Sequence, residues 1–423
     1  MAGPLPRHLL PDHATVRAGR LHLGGVDVTE LAEHYGTPLF VYDERHLRAR
    51  CREAVAAFGP GVAYATKAFL CRAMAKLAYD EGMYLDVASG GELHVALAAG
   101  VPGARLVLHG NNKSHDELAM GLDAGIGRIV VDSFDEFDRI DALVAGGAHA
   151  PAPVLVRITP GVEAHTHEFV STGQDDSKFG FGVANGDAAR AILRARDSPA
   201  VELRGLHMHI GSQVFAPASF RKAVEVVAPL VTELDLPELC VGGGLGVAYV
   251  AGEATPTITE WGRLIAEAVA ARGIRSHITA EPGRAIVAAA ALTVYRVGTI
   301  KTLPDIRTYL SVDGGMSDNP RPVLYGSGYE AFLPRAVDAP RPRPFTVVGK
   351  HCESGDFLVR NAHLPADVAV GDLLATPVTG AYGHSMGSNY NKVLRPAVIF
   401  VADGTARLVV RRETYDDLLR CDL

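Results

Sequence analysis

A (β/α)8 TIM-type barrel plus a C-terminal antiparallel β domain completed by N-terminal residues is the fold this 423-residue α/β sequence predicts. Three observations predict it. Short β-type runs alternate with amphipathic stretches from residue 62 onward, eight such units can be counted, and after about residue 287 the helical stretches give way to β-type runs separated by Gly, Pro and Asp turns.

The eight runs are VAYATK (62–67), MYLDVAS (83–89), RLVLHG (105–110), RIVVDS (128–133), PVLVRITPG (153–161), ELRGLHMHIG (202–211), ELCVGGGLG (238–246) and SHITAEPGR (276–284). Between them lie stretches such as ASFRKAVEVVAPLVTEL and TITEWGRLIAEAVAARG, whose apolar positions recur at helical spacing. The later runs are ALTVYRVGTI, RTYLSVDGG, PFTVVGKHCESG, DLLATPVTGAYG, PAVIFVADG and TARLVVRRE. The first forty or so residues hold RLHLGG, the helical stretch VTELAEHYG and the β-run TPLFVYD. The expected organisation is an N-terminal segment, 1–40, pairing with the C-terminal domain, a cofactor-binding barrel, 41–287, and a β-rich domain, 288–423.

Composition is globular, with 48% hydrophobic and 21% charged residues, and the length suits two to three domains. A net charge of -7 and no long Lys/Arg run argue against a nucleic-acid or anionic-membrane surface, which leaves small molecules or another subunit as partners. The five cysteines show neither CxxC pairing nor the density of a disulfide scaffold, as expected of reduced thiols in a cytoplasm. The opening MAGPLPRHLLPDH has prolines and charges where a signal peptide needs an apolar stretch, and no run of about twenty apolar residues follows. No metal site is expected.

In such a barrel, chemistry sits where strands end, because the loops there converge over one opening. The polar residues at these ends are Lys67, Asp86 with Ser89, His109 with Asn111, Asp132, Arg157, His209 with Ser212, Gly242-Gly243-Gly244, and Glu281 with Arg284. Lys67 suits imine formation with an aldehyde cofactor, since a confined ammonium has its pKa lowered toward the reactive amine. Taken alone it also fits an exposed strand end. The glycine run closes the seventh strand, where barrels of this type often bind phosphate through backbone N–H groups, although a flexible turn would read the same way. Glu281 can keep a pyridine nitrogen protonated and so strengthen an electron sink, or can pair with Arg284. His209 can stack on a cofactor ring and Ser212 can reach its phosphate. The absence of a Walker loop argues against nucleoside triphosphate chemistry.

Seven motifs occur in one order: YATKA (64–68), HGNNKS (109–114), HIGSQ (209–213), GGGLG (242–246), EPGR (281–284), CESGD (352–356) and GAYGHSMGSNYN (380–391). Together they closely resemble the diaminopimelate decarboxylase family, from TPLFVYD to RRETYDDLL, including GVEAHTHEFVSTGQDDSKFGFG (161–182). The resemblance implies a fold-type III pyridoxal phosphate enzyme, related to alanine racemase and eukaryotic ornithine decarboxylase. Such an enzyme converts meso-2,6-diaminopimelate to L-lysine and carbon dioxide, the last step of lysine biosynthesis, as a homodimer with shared active sites. By position, Lys67 matches the Schiff-base lysine and His209 the histidine stacked on the ring. Gly242, Gly243 and Gly244 with Glu281, Pro282, Gly283 and Arg284 match the phosphate-binding loops, Glu281 being the partner of the pyridine nitrogen. Arg284, Arg321 and Tyr325 match residues holding the distal carboxylate. Cys352 and Glu353 match a pair from the neighbouring subunit, a proton donor and a contact to the distal ammonium, and Tyr382 matches a residue touching cofactor and substrate.

The chemistry of the substrate agrees with this set. Diaminopimelate has two amino-acid ends, so an enzyme acting on one must recognise the other by charge, and guanidinium groups bind carboxylates through directional paired hydrogen bonds. A relative that makes a diamine needs no such clamp. Cys352 can return a proton to the carbanion, or can be simply a small buried hydrophobe. Met208 between two histidines, Pro320 and Pro322 around Arg321, and GHSMG after GAY depart from the usual pattern. Two other readings stay open: a same-fold decarboxylase of another amino acid in specialised metabolism, and a non-catalytic relative that binds the cofactor or a partner.

Overall fold

The structure is a computed structural model that describes residues 3–162 and 176–423. Most of the expected GVEAHTHEFVSTGQDDSKFGFG match, residues 163–175, lies outside the described residues. The chain divides into two compact units, one of Arg50–Gly246 and Thr255–Ala285, the other of Met1–Ala49, Val247–Ala254 and Ile286–Leu423.

The first unit is the predicted barrel. Its parallel strands follow one another in chain order: Ala63–Ala65, Tyr84–Val87, Leu106–Leu108, Arg128–Val131, Ala152–Thr159, Val201–Met208, Glu238–Cys240 and His277–Thr279. The ring closes through backbone bonds from Ala63 N–H to the Ala280 carbonyl at 2.9 Å and from Ala65 N–H to the Pro282 carbonyl at 3.2 Å. Ala63, Val107, Val130, Leu155 and Cys240 pack together inside, with Tyr84 against them. Apolar residues fill the barrel, so it is a packed core whose chemistry is pushed to its end. Hydroxyl side chains cap four of the helices that follow the strands. The side chains of Ser89, Ser114, Ser133 and Thr257 accept from the third N–H of the helices Gly90–Ala98, His115–Asp123, Phe134–Ala145 and Ile258–Ala271, satisfying donors that would otherwise lack a partner.

In the second unit the sheet runs Phe357–Leu364, Arg343–Val348, Arg307–Val312, Ala291–Leu303, Leu39–Asp43, Ala397–Ala402, Thr405–Val410, with Leu373–Pro377 also on Ala291–Leu303. The N-terminal strand Leu39–Asp43 therefore completes the C-terminal sheet from within it, and all five of its residues are buried. The sheet is mixed rather than wholly antiparallel. Arg307–Val312 pairs parallel with Arg343–Val348, and Leu39–Asp43 pairs parallel with Ala397–Ala402. The reason is connectivity: hairpin turns enforce antiparallel neighbours, whereas these pairs are joined by long excursions of chain that can return in either direction. Among the described residues no helix is long and apolar enough to cross a membrane.

Gly205 lies so close to the next barrel strand that a Cβ there would sit 1.9 Å from the Glu238 carbonyl oxygen, a backbone atom that cannot swing aside. Gly205→Ala is expected to destabilise the chain by about 1–3 kcal/mol. Urea denaturation should show a lower midpoint at unchanged slope, and an unmoved midpoint would mean that the two strands separate without cost.

Candidate active site

The first barrel strand ends two residues earlier than expected, at Ala65, and Lys67 sits in a tight helical turn, Thr66–Ala68. The turn is fastened by the Tyr64 hydroxyl donating to the Phe69 carbonyl at 2.6 Å and the Thr66 hydroxyl donating to the Asp86 carbonyl at 2.7 Å. Thr66 and Ala68 are buried and Lys67 between them is exposed, not confined as expected, so the turn offers the amine to the barrel's open end. Its charge acts on Asp86 and His209.

Glu281 is buried at the eighth strand end with both oxygens engaged. His109 Nε2 lies 2.8 Å from Oε1 and His207 Nε2 lies 2.9 Å from Oε2, the two rings meeting edge to face at 5.0 Å. Asp86 Oδ1 stands 3.7 Å from His109 Nε2. Burial works against an ionised Glu281, but the charge of His109 and the hydrogen bonds of both His109 and His207 hold its pKa well below the usual carboxylate range. Burial pushes His207 down to about 4, so that ring is neutral at neutral pH. Burial also opposes a charged His109, yet Asp86 and Glu281 together raise its pKa. Asp86 is pushed up to about 6, chiefly by burial. The three ligand atoms of His109, His207 and Glu281 lie within 4.8 Å of one another, close enough for a cation. The hydrogen bonds account for the arrangement without one.

His209 follows the sixth strand, half-buried, and its Nδ1 accepts the Gly243 N–H at 3.1 Å. That bond leaves the proton of the neutral ring on Nε2. Removal from water, then the charges of Lys67 and Arg157, push its pKa well below the ordinary histidine value. The ring at the barrel mouth is thus neutral and fixed in orientation. The glycine run, expected as an anion cradle, proves to be a steric necessity. A Cβ on Gly243 would lie 2.3 Å from the Glu281 carbonyl oxygen and one on Gly244 would lie 2.1 Å from that of Gly211. Two of the three N–H groups expected to face an anion are committed elsewhere, Gly242 to Cys240 Sγ and Gly243 to His209, and no described group accepts from Gly244. Pro282 and Gly283 lead into the single turn Arg284–Val287, and Arg284 Nη2 donates to Ser212 Oγ at 2.8 Å. Arg284 is therefore joined to the residue expected at the phosphate.

The other expected residues belong to the second unit. Arg321 opens the short helix Arg321–Tyr325 and is only 5% exposed. Its Nη1 donates to the Tyr329 hydroxyl at 2.7 Å, its guanidinium carbon lies 4.3 Å from the centre of the Tyr249 ring, and its buried Nε has no acceptor. Among the described residues no carboxylate pairs with it. Tyr325 is half-buried at the other end of the helix. Cys352 and Glu353 are exposed on the turn between Arg343–Val348 and Phe357–Leu364. Asp356 fastens that turn: it accepts from His351 N at 3.0 Å, from His351 Nδ1 at 2.9 Å and, across to the loop before Arg321, from Met316 N at 2.7 Å. Tyr382 is half-buried with φ +58, a conformation rare for an aromatic residue and typical of constrained functional positions.

Sequence reasoning gave Asp86 and His109 no role and did not single out His207. The signal was present: residues two apart on a strand share a face, so His207 and His209 in HMH both point inward. Tyr249 and Tyr329 carried no signal, being brought to Arg321 only by folding.

The model of the family described as pyridoxal-dependent decarboxylase, pyridoxal binding domain, matches residues 44–288. The chain is 48% identical over 428 residues to the diaminopimelate decarboxylase of Mycobacterium tuberculosis, covering 96% of this chain and 95% of that one. It is 46% identical over 430 residues to that of Bacillus subtilis, covering 97% and 98%. The crystal structure of diaminopimelate decarboxylase from M. jannaschii in co-complex with L-lysine superposes with a TM-score of 0.90 at 32% identity, covering 98% of both chains. Pyridoxal phosphate fits the barrel residues: a primary amine at the open end, an ionised carboxylate for a pyridine N–H, a neutral flat ring, and Gly244 N–H with Arg284 and Ser212 for a phosphate.

The buried cluster carries two opposite pH dependences. The folded pKa of His207, about 4, is below the ordinary 6.5, so the unfolded chain binds the extra proton and stability is lost as pH falls through this window. The folded pKa of Asp86, about 6, is above the ordinary 3.8, so the folded chain binds the extra proton and stability is lost as pH rises through that one. His207→Gln should flatten the first dependence and Asp86→Asn the second. Urea midpoints measured from about pH 4.5 to 7.5 read both, and variant curves running parallel to wild type throughout would refute the assignments.

Proposed function

We propose that this chain, which belongs to the family of pyridoxal-dependent decarboxylases, removes one carboxylate from meso-diaminopimelate and releases L-lysine and carbon dioxide, the last step of lysine biosynthesis. One observation carries the choice of substrate: Arg321 is a buried guanidinium with an orphaned Nε and no carboxylate partner among the described residues. A buried charge without a counter-ion is costly, and a substrate carboxylate removes that cost. A substrate that ends in an amine alone would not. Arg321 and Tyr325 then hold the distal carboxylate, Glu353 meets the distal ammonium, and Tyr382 touches substrate and cofactor.

Lys67 is the residue that would hold pyridoxal phosphate, with Gly244, Ser212 and Arg284 at its phosphate, His209 against the ring and Glu281 at the pyridine nitrogen. When bound, the cofactor supplies the electron sink that makes loss of carbon dioxide from an amino acid feasible. Glu281 keeps its negative charge because His109 and His207 compensate it, and a charged acceptor keeps the pyridine nitrogen protonated. Cys352 supplies the proton that replaces the lost carboxylate, and Lys67 moves protons when the product leaves. Cys352 and Glu353 are exposed on their own chain, and we place them in the active site of a second copy, in a cytoplasmic homodimer with shared sites.

Lys67→Ala should abolish lysine release, and borohydride should fix the cofactor to the Lys67 peptide of the wild type; a label on any other peptide would sink the assignment. Arg321→Ala should lower kcat/KM for meso-diaminopimelate by about 30-fold or more, as truncation of one member of a buried charge pair costs about 2–5 kcal/mol. Unchanged kinetics, or faster carbon dioxide release from lysine or ornithine than from diaminopimelate, would favour the other same-fold decarboxylases. Sharing is read by mixing inactive Lys67→Ala and Cys352→Ala chains. Random pairing restores roughly a quarter of wild-type activity if sites are shared and none if each chain is self-sufficient.

A further inference from the structure

The second unit carries a cavity of about 690 Å3 built on four adjacent strands, Ala291–Leu303, Arg307–Val312, Arg343–Val348 and Phe357–Leu364, and on the turn between the first two. None of its residues belongs to the proposed catalytic set. Its charged lining is three arginines, Arg307, Arg343 and Arg360, against a single acid, Asp305. That is a local reversal of sign in a chain of net charge -7.

Several other arginines of this unit have acidic partners. Arg335 pairs with Asp367 and Asp372, Arg341 with Glu330, and Arg296 with Glu33. Among the described residues no carboxylate lies within ion-pair distance of Arg307, Arg343 or Arg360. Nor are the three loose. Their guanidinium carbons lie over aromatic rings, 5.7 Å from Tyr309, 5.1 Å from Phe345 and 4.1 Å from Phe357 respectively. Stacking a guanidinium face on a ring leaves its N–H edge for an anion and reduces the freedom lost when one binds; Arg343 spends part of that edge, its Nη1 donating to the Ala366 carbonyl at 3.1 Å. Asn361 and His363 add polar groups to the same lining. The volume falls in the ~300–1,000 Å3 range of small-molecule sites, too large for a lone chloride.

We propose that this cavity binds a small polyanion, a metabolite bearing two or more phosphate or carboxylate groups, at a site separate from the barrel. Isothermal titration of the cofactor-loaded full chain with inorganic pyrophosphate, and separately with citrate, tests it; acetate is the singly charged control. One saturable site per chain is expected for at least one of the two polyanions and none for acetate. Affinity should fall at least tenfold in Arg307→Ser and in Arg360→Ser, and rise in Asp305→Asn. Arg360→Lys, which keeps the charge and loses the planar fork, should also bind more weakly, and it covers the case in which a serine variant fails to fold. No saturable binding to wild type overturns the proposal, as does equal affinity in all variants. Sedimentation gives the remaining outcome: if Arg360→Lys or Arg307→Ser breaks the oligomer apart, the arginines face another copy and the small-molecule site is refuted.

Discussion

The carboxylate of Glu281, buried at the end of the eighth barrel strand, must stay ionised in surroundings that disfavour charge, and much of the barrel's polar interior is arranged around that requirement. His109 and His207 each take one oxygen, at 2.8 Å and 2.9 Å. They come from the third and sixth strands, so the bond pair is made only when the barrel has closed. Asp86 then stands beside His109 and supports its positive charge, and the Thr66 hydroxyl reaches the Asp86 backbone carbonyl and fixes the turn that displays Lys67. The amine and the carboxylate are thus linked through one chain of short contacts. An ionised acid compensated in this way is a weaker base than a free one, yet it remains the strongest hydrogen-bond acceptor the barrel end can offer.

The glycines enter the same account. Gly243 and Gly244 let the seventh strand's exit pass against the backbone of Glu281 and Gly211, where any Cβ would collide. The N–H of Gly243 then sets the tautomer of His209, so a residue first read as an anion donor turns out to orient a ring. Packing and chemistry use the same atoms, and neither reading of the glycine run excludes the other.

In the second unit Asp356 has the comparable place. It gathers three donors from two loops, one leading to Arg321 and one carrying Cys352 and Glu353, and Gly349 is required beside it because a Cβ there would lie 2.1 Å from its Oδ2. Arg321 is embedded between two tyrosine rings, which tolerate a cation without neutralising it. A guanidinium so placed is held in position and still lacks an anion.

Alternation of β-type and helical runs was enough to read the barrel, because strand and helix periodicities differ and Gly, Ser, Asn or Asp marks the ends of the runs. The ordered motifs were enough to read the family; Lys67 and Glu281 also stood out at strand ends, where a charged residue needs a reason, whereas Arg321 was singled out only by the resemblance. The parallel pairings of the second sheet, the histidines on Glu281 and the tyrosines around Arg321 were decided only in three dimensions. Those contacts join residues as far apart in the chain as His109 and Glu281 or Leu39 and Ala397, and local patterning carries no information about which distant side chain will complete a buried charge. The amino-acid order determined what groups are present at the strand ends; tertiary structure decided their protonation and their partners, since both depend on burial and on neighbours that only the closed fold supplies.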